Sequence, residues 1–291
     1  MRKTSFVEGE YYHVFNRGVD KRIIFSKEED FQRFLTSMKE FNDIKPIGSI
    51  YENSFRKKKN KKSKPLVEFL AYCLNPNHYH LLLETPEANL VVGMKWLQGV
   101  YTQRFNRRHN LKGHLFQGRY KALTIDGEKA GYFLQVSSYI HLNPIRAGLV
   151  PAGKLLRCYR WSSLPLYLAP GNKRVKWLSV ERVLGELGEH RDDWKGRKAY
   201  GLYLEGLSQE YNEEDGRRAF EEEWKGVRRG WYLGGEDFRD RLLEILGKVI
   251  IGKQRETYKG HEMQAHDEAQ AEQILGTGLR ALDLNAQDLQ N

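Results

Sequence analysis

Two apolar runs, residues 67–74 and 78–84, stand either side of Asn75-Pro76-Asn77, and nothing else in the chain constrains its fold as strongly. Each run has strand length and the three residues between them are turn formers, so the segment reads as a buried strand, a tight turn and a returning strand. Around it, residues 11–15 are aromatic and β-branched and end at Asn16-Arg17-Gly18, which predicts another strand and turn. Phe31, Phe34, Leu35, Met38 and Phe41 recur at helical spacing over 27–41, and Met94, Leu97, Tyr101 and Phe105 do so over 89–107. Residues 47–51 and 119–125 read as extended. A helix beginning at 126 or 127 is expected to run to Asn143, where Pro144 stops it. Strands and helices alternate, so the expected class is α+β, a sheet of four or five strands covered by helices.

The composition shifts after Pro170. Pro170-Gly171-Asn172 reads as a linker, and helix-forming charged stretches follow at 178–187, 215–224, 237–251 and 262–275. These predict two domains, 1–170 and a helical accessory domain over 171–291, the latter with no clear stop signal. Charge divides at the same place. Residues 1–170 hold 28 Lys and Arg against 14 Asp and Glu, and the remainder holds 20 against 24, so the net charge of +10 sits on the N-terminal part. A polyanionic partner fits that asymmetry. The run Arg56-Lys57-Lys58-Lys59-Asn60-Lys61-Lys62-Ser63-Lys64 cannot bury itself and reads as a loop attracting phosphate without regard to sequence. No signal segment or run of eighteen apolar residues is present, so a cytoplasmic protein with no membrane partner is expected. The two cysteines, Cys73 and Cys158, are too few for a disulfide framework and read as small buried residues.

His78 and His80 lie two apart on a predicted strand, which sends both imidazoles to one face with Cα atoms roughly 6–7 Å apart. Two imidazoles so placed can share a divalent ion, but a His-x-His pair on a strand is more often an accident. Tyr139 and Asn143 stand one turn apart on the later helix. The Asn143 amide oxygen is a suitable third ligand, and the mixed donor set suits Mg²⁺ or Mn²⁺. With sixteen tyrosines in the chain, Tyr139 reads first as a packing residue on this evidence alone. The other histidines, His13 and His141 among them, read as structural or solvated.

Four phrases decide between these readings: Tyr-His-Val-Phe-Asn-Arg-Gly (12–18), Ala-Tyr-Cys-Leu-Asn-Pro-Asn-His-Tyr-His-Leu-Leu-Leu (71–83), Phe-Gln-Gly-Arg-Tyr-Lys-Ala (116–122) and Tyr-Ile-His-Leu-Asn-Pro-Ile-Arg-Ala-Gly-Leu-Val (139–150). In this order they resemble the single-tyrosine transposases of the His-hydrophobe-His (HUH) superfamily, and above all the REP-associated tyrosine transposases, over residues 11–168. The resemblance implies a ferredoxin-like HUH sheet and a strand transferase acting on hairpin-flanked single-stranded DNA through a 5′-phosphotyrosine. It implies His78, His80 and Asn143 as metal ligands and Tyr139 as nucleophile, with Tyr132, two turns earlier, the competing tyrosine. The family's usual Met before Pro-Asn-His is here Leu74-Asn75.

DNA contacts are expected from Arg17, Arg104, Arg107, Arg119, Tyr120, Lys121 and Arg146, and from the basic loop with Lys57, Lys58 and Lys59. A monomer associated with the nucleoid is favoured over a homodimer. The alternative reading is a domesticated regulator that binds hairpin DNA or RNA without catalysis. A hydrolytic nuclease forming no covalent intermediate is the third.

Overall fold

The computed structural model describes residues 10–43, 67–86, 90–151, 153–188 and 191–250. The extended stretch over 47–51, the basic loop with Lys57, Lys58 and Lys59, and the helix expected over 262–275 lie outside them. The hairpin is as expected: β2 (Glu68–Asn75) pairs with β3 (His78–Thr85), and Asn75 faces His78 across a turn of Pro76 and Asn77. Proline suits the first turn position because its φ is already set. The corner is also stitched from outside. The Pro76 carbonyl accepts from the Ile24 and Phe25 amides at 2.7 and 2.9 Å, and the Asn77 carbonyl accepts from the Gly18 amide at 2.8 Å. At Gly18 a Cβ would lie 2.2 Å from the Arg22 carbonyl oxygen, so only glycine allows this approach.

β1 (Glu10–Arg17) is the central strand, antiparallel to β3 on one side and to β4 (Lys121–Ile125) on the other. With α1 (Glu28–Asp43) between β1 and β2, and α2 (Leu90–His109) between β3 and β4, the order β2-β3-β1-β4 is the split βαβ arrangement of ferredoxin-like sheets. Phe34 of α1 and Tyr101 of α2 pack edge to face, and Phe34 lies 5.0 Å from the Tyr79 ring. The Tyr79 face of the sheet is thereby closed, each such ring contributing about 1.5–3 kcal/mol by leaving water. His78 and His80 point to the other face. There α3 (Tyr132–Arg146) lies against β2 and β3, buried from Val136 to Pro144 without a break. Pro144 does not stop this helix, which continues to Arg146 although proline lacks the N–H that would bond the Ile140 carbonyl.

The accessory-domain boundary expected after 170 does not appear. The described residues up to Leu233 form one compact unit, and those from Gly234 form a second. Within the first unit, α4 (Leu164–Leu168) and α5 (Glu181–Leu184) are followed by α6 (Trp194–Asn212), a helix that the sequence reading did not include. Asp193 caps α6 by accepting from the Gly196 amide at 2.8 Å. Tyr200 of α6 reaches into the sheet domain, 2.8 Å from His141 Nδ1, while Ser163 Oγ lies 2.7 Å from His141 Nε2. Two short helices, α7 (Glu214–Glu223) and α8 (Lys225–Arg229), lead to β5 (Tyr232–Leu233), which adds to β4 in parallel. The unit from Gly234 contains α9 (Glu236–Ile250). Cys73 is buried as expected, but Cys158, at the end of the 3-10 turn Leu156–Cys158, is exposed. No described helix is long and apolar enough to cross a membrane.

Candidate active site

Strand register puts six side chains on one face: His78 opposite both Arg17 and Asn75, and His80 opposite both Phe15 and Cys73. The His78 and His80 rings stand perpendicular with centroids 5.2 Å apart. From above, α3 lowers Tyr139 and Asn143 onto them, one turn apart. Asn143 Oδ1 lies 2.9 Å from His78 Nε2, and the Tyr139 ring meets the His80 ring edge-on at 5.4 Å. Tyr132, the competing tyrosine, is half-buried two turns away and makes no ring contact with the histidines.

The protonation pattern follows from the hydrogen bonds. His78 Nδ1 is 2.6 Å from Asn77 Oδ1, which can only accept, so the proton sits on Nδ1 and Nε2 keeps its lone pair. Burial lowers the pKa of His78 despite an opposing contribution from Asn143, and it lowers His80 much further, helped by the nearby His13 and His78. Both imidazoles are therefore neutral near pH 7, the form that binds metals. His78 Nε2 and Asn143 Oδ1 are then two lone-pair atoms held 2.9 Å apart with no proton of their own between them. Adjacent ligands on an octahedral ion with bonds near 2.1 Å stand about 3.0 Å apart. The pair fits a hard divalent ion in spacing and in donor type. The described residues contain no group of three His, Cys, Asp or Glu able to hold a metal, so the set depends on the Asn143 amide.

The sequence reading missed several groups that complete the site. His13 was read as structural; it is wholly buried and its Nε2 lies 2.9 Å from His80 Nδ1. Burial pushes His13 down to about 3, so it is neutral. Its Nδ1 faces the Val227 carbonyl, which raises its basicity without closing a full hydrogen bond. With Nδ1 of His80 engaged in this way, Nε2 is the nitrogen left for a metal, the orientation that an outer hydrogen bond imposes on a ligand imidazole. The alternation of β1, which puts His13 on the face of Phe15 and Arg17, was the available signal. Trp224 and Glu221 carried none. The Trp224 ring packs against Tyr139 at 5.5 Å, and Glu221 binds Arg146 at 2.9 Å. The Arg146 guanidinium lies 4.9 Å over the Tyr139 ring. Tyr139 is consequently only 4% exposed. Burial raises its pKa, and Arg146 opposes that rise.

The residues expected to touch DNA separate into two groups. Arg17, Arg119 and Lys121 are exposed at the histidine end of the sheet, where Lys121 lies over the Phe15 ring at 6.0 Å and Arg17 donates to Gln117 Oε1 at 2.5 Å. Tyr120 between them is half-buried. Arg146 is at the site itself but held by Glu221. Arg104 and Arg107 lie on α2, across the sheet, and Arg104 is committed to Ser37 at 3.0 Å and Glu40 at 3.2 Å.

A sequence profile of the family described as IS200-like transposases matches residues 8–143. Among solved structures, the chain is similar to a REP-associated tyrosine transposase bound to a REP hairpin, with 14% identity over 62% of this chain and 90% of that one and a TM-score of 0.41. It is also similar to a Deinococcus radiodurans R1 protein assigned as a transposase, with 14% identity over 51% of this chain and 97% of that one and a TM-score of 0.29. No curated protein matches it.

Proposed function

Because residues 8–143 belong to the IS200-like transposase family, we propose that this protein nicks and rejoins hairpin-flanked single-stranded DNA through a covalent link to Tyr139. The observation that carries the reading is that one helix sets Asn143 Oδ1 2.9 Å from His78 Nε2 and, a turn earlier, sets Tyr139 against His80. Tyr139 and Asn143 thus share one rigid helix above the histidines, which suits an in-line displacement at one phosphate.

His78, His80 and Asn143 would hold a divalent ion, Mg²⁺ or Mn²⁺. Bound there, the ion supplies charge to the non-bridging oxygens of the scissile phosphate and helps to orient it. Tyr139 Oη attacks phosphorus and loses its proton, the bond from phosphorus to the 3′ oxygen breaks, and the departing strand leaves as a 3′-hydroxyl. The product is a 5′-phosphotyrosine whose bond energy permits a second 3′-hydroxyl to reverse the step. A phenol with a raised pKa resists ionisation. Arg146 is the cation that stabilises the phenolate, being the one that lowers its pKa most. Arg17, Arg119 and Lys121 would grip the backbone beside the site, with Tyr120 as the neighbouring aromatic.

A denaturing gel of the protein with end-labelled hairpin DNA and Mn²⁺ tests the reading. A protein-linked band is expected from the wild type and none from Tyr139→Phe, with hairpin binding retained. An adduct that survives the substitution would remove Tyr139 from its role. Free cut product without an adduct would indicate hydrolysis, and binding without cutting a regulator.

A further inference from the structure

Asn75 ends β2 on the face of His78 and has no exposed surface. Its Nδ2 donates to Asn143 Oδ1 at 2.6 Å and lies 3.0 Å from His78 Nε2. Its Oδ1 accepts from the Cys73 thiol at 3.4 Å. An asparagine beside a tight turn ordinarily satisfies nearby backbone groups. Here the amide N–H groups are aimed at the two atoms assigned to the ion.

We infer that Asn75 is a further oxygen ligand of the divalent ion, presented by a half-turn of its amide. The inference rests on the assignment of His78, His80 and Asn143 to that ion. His78 Nε2 has a single in-plane lone pair, so it serves either the Asn75 N–H or a cation. A cation between His78 and Asn143 repels the N–H dipoles and attracts the carbonyl end of the same amide. The torsion at the end of an asparagine side chain is broad and roughly two-fold, and its oxygen and nitrogen are nearly equal in size. The exchange therefore needs little room. Cys73 accommodates both orientations, since its S–H donates to Oδ1 and its sulfur accepts from Nδ2 after the turn. With four protein ligands, a six-coordinate hard ion keeps two positions for phosphate oxygens.

The test titrates the full chain with Mn²⁺ alone, by calorimetry and by the electron paramagnetic resonance signal of the free ion, alongside melting curves with and without Mn²⁺. Asn75→Met removes the oxygen and is expected to weaken Mn²⁺ binding about tenfold, and Asn75→Asp keeps an oxygen there and is expected to strengthen it about tenfold. Equal or tighter binding by Asn75→Met overturns the inference, as does weaker binding by Asn75→Asp. If Asn75→Asp melts early without metal, Mn²⁺ must raise its melting temperature more than it raises that of the wild type; a smaller rise overturns the inference. His80→Ala, which does not alter the Asn75 contacts, separates the two levels. Lost Mn²⁺ affinity in His80→Ala with unchanged affinity in the Asn75 variants rejects Asn75 alone. Unchanged affinity in His80→Ala rejects the metal assignment and the inference with it.

Discussion

The neutrality of the buried histidines has a direct cost in acid. His13 and His141 are both pushed down to about 3 by burial, whereas in an unfolded chain each takes a proton near 6.5. Below pH 6.5 the unfolded state binds more protons than the folded one, so the stability they confer is present above 6.5 and is lost as pH falls toward 3. Each contributes a slope of about 1.4 kcal/mol per pH unit, so the two together remove roughly 4 kcal/mol by pH 5. Melting temperatures recorded without metal at pH 7.5 and 5.0 are expected to differ by about 10 °C. A flat profile would mean that neither histidine is held neutral. The His78 and His80 pair was legible because strand alternation depends only on neighbours two apart. His13 and Asn75 were not, since each acts through residues more than sixty positions away in the chain or across a hairpin turn, and neither residue type announces its partner. The Asn75 position was visible only as a departure from the family's Met.

At the level of elements, α7 and α8 lie over the helix that carries Tyr139. Trp224, at the junction between them, is 1% exposed, and Glu221 ties down both Arg146 and Arg228. With Tyr139 only 4% exposed, the proposed attack on phosphorus would require these contacts to loosen. Hydrogen exchange over residues 214–229 is therefore expected to speed up when hairpin DNA is added, while exchange in β1 and β3 stays slow. Unchanged protection over 214–229 would show that DNA reaches the tyrosine by another side. β1 to β4 were legible as apolar or aromatic runs ended by turn formers, and α1 and α2 by the helical spacing of their apolar residues. α6 was obscured by Gly196, Gly201 and Gly206, which dilute helical propensity, although Asp193 offered a capping signal. α3 was read with its end at Asn143 because Pro144 was taken as a stop, whereas the helix runs on to Arg146.

For the molecule as a whole, the positive charge of residues 1–170 and the cations at the histidine end of the sheet would make the proposed hairpin binding depend on salt. Binding measured by fluorescence anisotropy between 50 and 200 mM salt is expected to fall steeply, and Arg17→Ala or Lys121→Ala to reduce the slope of log affinity against log salt by about one each. Arg104→Ala, at a residue already paired with Glu40, is expected to leave the slope unchanged. Equal effects of all three would assign the binding to net charge rather than to the site. The domain boundary at 170 was misplaced because composition reports what a segment is made of and not what it packs against: Tyr200, Trp224 and β5 all belong to the unit that contains the sheet. β5 in particular pairs with β4 although over a hundred residues separate them. As the chain leaves the ribosome, β4 is therefore made long before the strand that covers it. Through that interval the nascent sheet presents an edge able to recruit a strand from a neighbouring chain, until β5 covers its Thr124–Ile125 end.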